Sequence, residues 1–232
     1  MKLYISIGVS ILFHASALIG ILFTPYKNWF VEATPINLLI MWGLVIWNES
    51  QELKKFFIFG FIVFLVGIFI EIIGVHTGFI FGSYTYGKTL GKQVYGVPLL
   101  IGVNWWIVLY ACGCIIRQVV KRIKNNLLFA GIGATLATFF DYLLEPTAQY
   151  VGYWSWKNNH IPIYNYICWF IISFVLLTIF YKLKFRTSNR FVIILFILQL
   201  FFFLLLTLCN DDIYFHKLAN LFLDGGNYLA YS

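Results

Sequence analysis

Seven apolar stretches, roughly 3–23, 33–48, 56–75, 97–116, 126–145, 161–181 and 191–209, leave this chain little choice of fold. About 20 mostly apolar residues suffice to cross the hydrocarbon core of a bilayer as a helix. Lipid offers backbone amides no partner, so such spans bond their own backbone internally. The chain is 61% hydrophobic and only 11% charged, against about 25% charged in soluble domains. The expectation is an all-α integral membrane protein, a bundle of about seven transmembrane helices forming a single domain over residues 1–232. The second stretch is short and carries Pro35 and Asn37, which makes it the weakest span.

Charge sets the orientation rather than naming a partner. The net charge of +7 comes from basic residues in short loops between spans, so it reports topology and not a nucleic-acid footprint. The N-terminus and the loops after spans two, four and six hold eleven of the 16 Lys and Arg residues. By the positive-inside rule the N-terminus is then cytoplasmic and the C-terminus outside, in a plasma (inner) membrane. The apolar stretch after Lys2 is expected to remain as a span rather than be cleaved. Cys112, Cys114, Cys168 and Cys209 fall in apolar runs without metal-ligand or disulfide spacing and read as small packing residues.

This frame gives residues 71–98, EIIGVHTGFIFGSYTYGKTLGKQVYGVP, their weight. The segment opens on a carboxylate inside a span and breaks into glycines, tyrosines and hydroxyls, an irregular segment after the third span. An acid within hydrocarbon costs roughly 2.5 kcal/mol or more and marks a functional site by default. Irregular backbone survives at membrane depth only where protein covers it or a cavity hydrates it. Asp141 and Glu145 lie near the end of span five, on the same side of the membrane as Glu71. Four residues apart, they share one helical face, about 5–6 Å apart at Cβ. Two carboxylates that close in low dielectric do not both ionise easily, so the cluster is expected to hold at least one neutral acid at pH 7. The structural alternative is that these groups cap helices. For Glu145, which precedes Pro146, a helix end is a natural place.

Other polar and aromatic residues crowd the same side: His76, Tyr84, Tyr86, Asn104, Trp105, Trp154, Trp156, Asn165 and Trp169. Interfacial Trp and Tyr are ordinarily belt anchors. Asn104 and Asn165 within spans need partners, which a carboxylate cluster or ordered water would supply. His76 is a proton relay or a simple carbonyl partner, and His14, alone in span one, reads as a satisfied packing residue.

Two motifs carry a resemblance. One is E-x-x-G-V-x-T-G-x-x-F-G-x-Y-x-Y-G-x-x-L-G from Glu71 to Gly91, followed by Gly96-Val97-Pro98. The other is D-x-x-x-E-P-x-A-x-x-x-G-Y-W-x-W from Asp141 to Trp156, followed by Ile161-Pro162, Asn165 and Trp169. Together, over roughly residues 60 to 170, they resemble the integral-membrane carotenoid biosynthesis family, that of the carotenoid 1,2-hydratases and bisanhydrobacterioruberin hydratases. His160-Ile161-Pro162 and Cys168-Trp169 depart from the family's usual pattern, which bears on the substrate. The resemblance implies addition of water across the terminal C1–C2 double bond of an acyclic carotenoid, giving a tertiary alcohol. Other carotenoid biosynthesis enzymes are then candidate partners beside the lipid bilayer.

Such a hydration needs a neutral acid to protonate the alkene, π-faces or negative charge beside the tertiary cation, and a base that orients water. It calls for no metal or redox cofactor. Asp141 is the expected acid, sharing its proton with Glu145, while Glu71 stabilises the cation or orients water. His76, Tyr84, Tyr86, Asn104, Trp105, Trp154, Trp156 and Asn165 are the expected substrate-binding residues. Three other functions are weighed: an acid-initiated carotenoid cyclase, a proton- or ion-conducting protein, and a retinal photoreceptor. Span seven lacks the Lys the last would need, and the inner halves of spans three and five are too apolar for a conduction path.

Overall fold

The structure, a computed structural model, describes residues 1–49, 52–119, 125–185 and 189–210. Among the described residues eight α-helices follow in order: α1 Lys2–Phe23, α2 Lys27–Glu32, α3 Thr34–Asn48, α4 Leu53–Thr77, α5 Leu99–Val119, α6 Asn126–Tyr150, α7 Ile163–Lys182 and α8 Arg190–Leu208. Two antiparallel strand pairs join them: β1 Tyr84–Tyr86 with β4 Trp154–Trp156, and β2 Gln93–Val94 with β3 Val97–Pro98. Six helices (all but α2 and α3) are long and apolar enough to cross a membrane, and the chain is an integral membrane protein.

The short α3 packs along part of α1. Its 15 residues reach about 22 Å, against a hydrocarbon core of about 30 Å. Thr34 Oγ1, at its start, is 2.6 Å from Tyr153 Oη, just past the end of α6. Ser10 Oγ reaches Met41 Sδ at 3.2 Å, and Asn48 Nδ2 donates to Ser6 Oγ at 2.8 Å, near the start of α1. So α3 lies antiparallel to α1, a short apolar helix beside the six long ones. Pro35 sits in the first turn of α3, where a missing N–H breaks no helical bond. Lys121, Arg122, Lys124, Arg186 and Lys217, on which part of the charge count rests, lie outside the described residues.

Helix α5 is the axle. From Trp105 to Cys114 every residue is buried, as expected for a helix apolar on all faces. Its indoles fit against α4 because α4 has glycines there. A Cβ on Gly60 would lie 1.6 Å from the Trp106 ring, and one on Gly67 would lie 3.2 Å from Trp105 Cγ. At the end of α4, Gly78 adopts φ +65° and its N–H bonds the Gly74 carbonyl at 2.8 Å. That left-handed cap turns the chain into the irregular segment.

One expected boundary is corrected. Helix α6 does not end at Glu145 but continues through Pro146 to Tyr150. Proline removes a single backbone bond, to the Tyr142 carbonyl, and the next turn closes beyond it, with Val151 N–H on the Thr147 carbonyl at 2.9 Å. Glu145 is therefore a mid-helix side chain rather than a cap, and the following loop is shorter than the expected 146–160.

Candidate active site

The segment after α4 and the segment after α6 meet as a lid. β1 and β4 pair in the register Tyr84↔Trp156, Thr85↔Ser155 and Tyr86↔Trp154. Side chains alternate faces along a strand, so Tyr84, Tyr86, Trp154 and Trp156 share one face while Thr85 and Ser155 take the other. The aromatic face looks down onto the ends of α4 and α6. Gly87 lets the strands close: its N–H bonds the Tyr153 carbonyl at 2.8 Å, and a Cβ there would lie 2.2 Å from the Gly152 carbonyl oxygen.

Each strand serves its own carboxylate. Tyr84 Oη and Tyr86 Oη donate to Glu71 Oε2 at 2.5 and 2.8 Å, and Trp105 Nε1 donates to Glu71 Oε1 at 3.2 Å. Trp154 Nε1 and Trp156 Nε1 donate to Glu145 Oε2 at 2.9 and 2.8 Å. Asn165, in the first turn of α7, spans the remaining acids, its Nδ2 lying 3.1 Å from Asp141 Oδ2 and 3.4 Å from Glu145 Oε1. All three carboxyl groups are buried. Burial first, and then the charge of Glu71, hold the Tyr84 and Tyr86 phenols well above their ordinary range. They therefore remain donors at any physiological pH.

Glu71, Asp141 and Glu145 face one small cavity of about 30 Å³. Tyr84, Tyr86, Asn104, Trp105, Trp154, Trp156 and Asn165 line it too, with Trp169 stacked on Trp105 at 3.9 Å between centroids. His76 stands apart: it is exposed, and its Nε2 sits 3.1 Å from the Tyr95 carbonyl oxygen. His14 is buried, with Nδ1 2.8 Å from the Ser10 carbonyl oxygen.

A far larger cavity of about 510 Å³ adjoins the first, walled by α1, α2, α3, α5 and α8. The two share Ile101, Asn104, Leu144 and Trp154. Leu12, Trp29 and Ile36 in its wall are exposed, so it opens at the bundle's flank, where lipid would lie. Sequence reasoning did not locate this groove, because its lining is ordinary Leu, Ile and Phe. Glu49, in the loop between α3 and α4, is buried and accepts a hydrogen bond from Tyr110 Oη near the opposite end of the bundle.

A sequence profile described as carotenoid biosynthesis protein matches residues 30–223. The chain belongs to that family. Among relatives of this carotenoid biosynthesis protein is the bisanhydrobacterioruberin hydratase of Haloarcula japonica. It is 30% identical over 118 residues, which span 48% of this chain and 40% of the relative. No solved structure matches the chain. The profile covers both carboxylate helices and both lid strands, so the site described above lies wholly within the family's matched region.

Proposed function

We propose that this protein is a carotenoid hydratase, adding water across the terminal C1–C2 double bond of an acyclic carotenoid. One observation carries the reading: a buried three-carboxylate pocket of about 30 Å³ adjoins an apolar groove of about 510 Å³, with four lining residues in common. A water needs roughly 10–15 Å³ of such space and two to four polar partners, and the small pocket offers both. The groove suits a hydrocarbon chain drawn from the bilayer, with its reactive end against the acids.

Hydrogen-bond donors support a division of labour. Glu71 and Glu145 each receive three N–H or O–H groups, the inventory of an anion, whereas Asp141 receives only that of Asn165. Asp141 is the group left to carry a proton. It protonates C2, the π electrons form the new C–H bond, and C1 becomes a tertiary cation. Glu71 and the aromatic faces of the lid stabilise that charge. Water adds to C1 and gives its proton to Glu145. Asp141 and Glu145 stand one helical turn apart on α6 and face the same small cavity, so the proton passes back from Glu145 to Asp141, directly or through a water there. The balance is one water consumed and one tertiary alcohol formed.

The excess of basic residues at the end opposite the site supports a pocket on the outer side, with a cytoplasmic N-terminus. The test is expression in cells that make lycopene or a longer acyclic carotenoid. A hydroxylated pigment, carrying one carbon-bound deuterium beside the alcohol when grown in D2O, is the expected product. A cyclised pigment without added oxygen would reassign the protein as a cyclase, and unchanged pigment across several acyclic substrates would remove the hydratase reading.

A further inference from the structure

Away from the acids, the large groove carries polar atoms that its hydrocarbon surroundings leave unanswered. Ser10 of α1 touches Met41 of the antiparallel α3. One turn further along both helices the same faces meet again, bringing His14 and Asn37 to one level. Gln199 lies one turn before Phe202 on α8, and the Phe202 ring meets the His14 ring edge-on at 5.5 Å. All three polar side chains line the groove.

Each offers an acceptor. His14 Nδ1 donates to the Ser10 carbonyl at 2.8 Å, which leaves Nε2 of the neutral ring free to accept. The carbonyl oxygens of Asn37 and Gln199 are buried and have no hydrogen-bond partner among the described residues. His14 and Gln199 are only 6% and 7% exposed. A buried polar atom left unpaired costs about 1–3 kcal/mol, and two such carbonyl oxygens, with the His14 ring, line this one groove from three helices. Among the described residues no Lys, Arg, Asp or Glu lines the groove, so they offer no counter-charge to an ionic ligand.

We propose that His14, Asn37 and Gln199 form a polar subsite that holds a hydroxyl group on the chain occupying the groove. A hydroxyl donates to one acceptor and accepts from an amide N–H, so it matches a histidine nitrogen beside two carboxamides. This inference rests on reading the groove as the seat of a carotenoid chain. It adds that the preferred ligand already bears an alcohol remote from the end presented to Asp141.

The test uses the full-length protein purified from cells that hold both an acyclic hydrocarbon carotenoid and its monohydroxylated derivative. The wild type is expected to retain the hydroxylated pigment about tenfold over its proportion in the membrane, the yield of one net hydrogen bond. Gln199→Leu and Asn37→Leu, singly and combined, are expected to bring that ratio toward the membrane's own. Asn37 is half-buried, so Asn37→Leu keeps the test open if Gln199→Leu does not accumulate. If ordered water alone answers these acceptors, the wild type shows no enrichment, and that result overturns the subsite. Enrichment that persists in the double variant overturns it equally. Selective retention without hydration of either pigment would support the subsite while removing the hydratase reading.

Discussion

Tyr84 and Trp156 stand opposite each other across the lid, ring centroids 4.9 Å apart, yet they hydrogen bond to different carboxylates: Tyr84 to Glu71 and Trp156 to Glu145. The lid therefore fixes the spacing of acids from two helices by contacts between its own rings. Tyr84→Phe keeps the ring and removes one donor from Glu71. A hydrogen bond to a charged group contributes about 1.5–3 kcal/mol, so pigment conversion should fall roughly 10- to 100-fold with the protein still folded. Pigment analysis beside a thermal melt in detergent reads both.

Replacing the proposed acid should be more severe. Asp141→Asn nearly preserves shape and the contact with Asn165 but leaves no proton to give. General acid catalysis contributes about 10²–10⁴-fold, so conversion should drop by at least 100-fold at unchanged expression. Activity retained by Asp141→Asn but lost in Glu145→Gln would transfer the role to Glu145.

Gly87 tests the lid as a backbone object. The clash its Cβ would make is with the Gly152 carbonyl, which no rotamer relieves. Gly87→Ala should separate the strands, abolish conversion and cost about 1–3 kcal/mol of stability. Gly8→Ala, with nothing within 4 Å of the new carbon, should match the wild type in conversion and stability within about 1 kcal/mol.

The groove can be narrowed without touching the acids. Ala17 lines the large cavity and not the small one. Ala17→Phe fills space a hydrocarbon chain would occupy, so KM should rise about tenfold while kcat changes little. A loss confined to kcat would mean that the substrate does not lie along α1.

Much of this arrangement was legible in the chain. Apolar run length gave the spans, and the rarity of carboxylates in lipid singled out Glu71, Asp141 and Glu145. Their donors came less directly. The alternation in Tyr84-Thr85-Tyr86 and Trp154-Ser155-Trp156 is a period-two signal in segments read as irregular, and no local rule says that strands separated by two passes will pair. Pro146 misled because a proline marks a helix end only when packing does not carry the helix past it. Nothing local marks the loop residue Glu49 as buried, because its partner, Tyr110, is 61 positions away.

Pairing β1 with β4 also orders events during biogenesis. When α4 and α5 first enter the bilayer, the donors to Glu145 and the strand that braces Tyr84 and Tyr86 have not yet been synthesised. Until α6 and the residues behind it emerge, the Tyr84–Tyr86 strand that answers Glu71 has nothing to hold it in place, in a nascent chain whose non-local contacts are slow to form. Quality control acting at that moment would fall on this intermediate. Truncations ending between α5 and β4 should therefore be degraded faster than those ending just beyond Trp156.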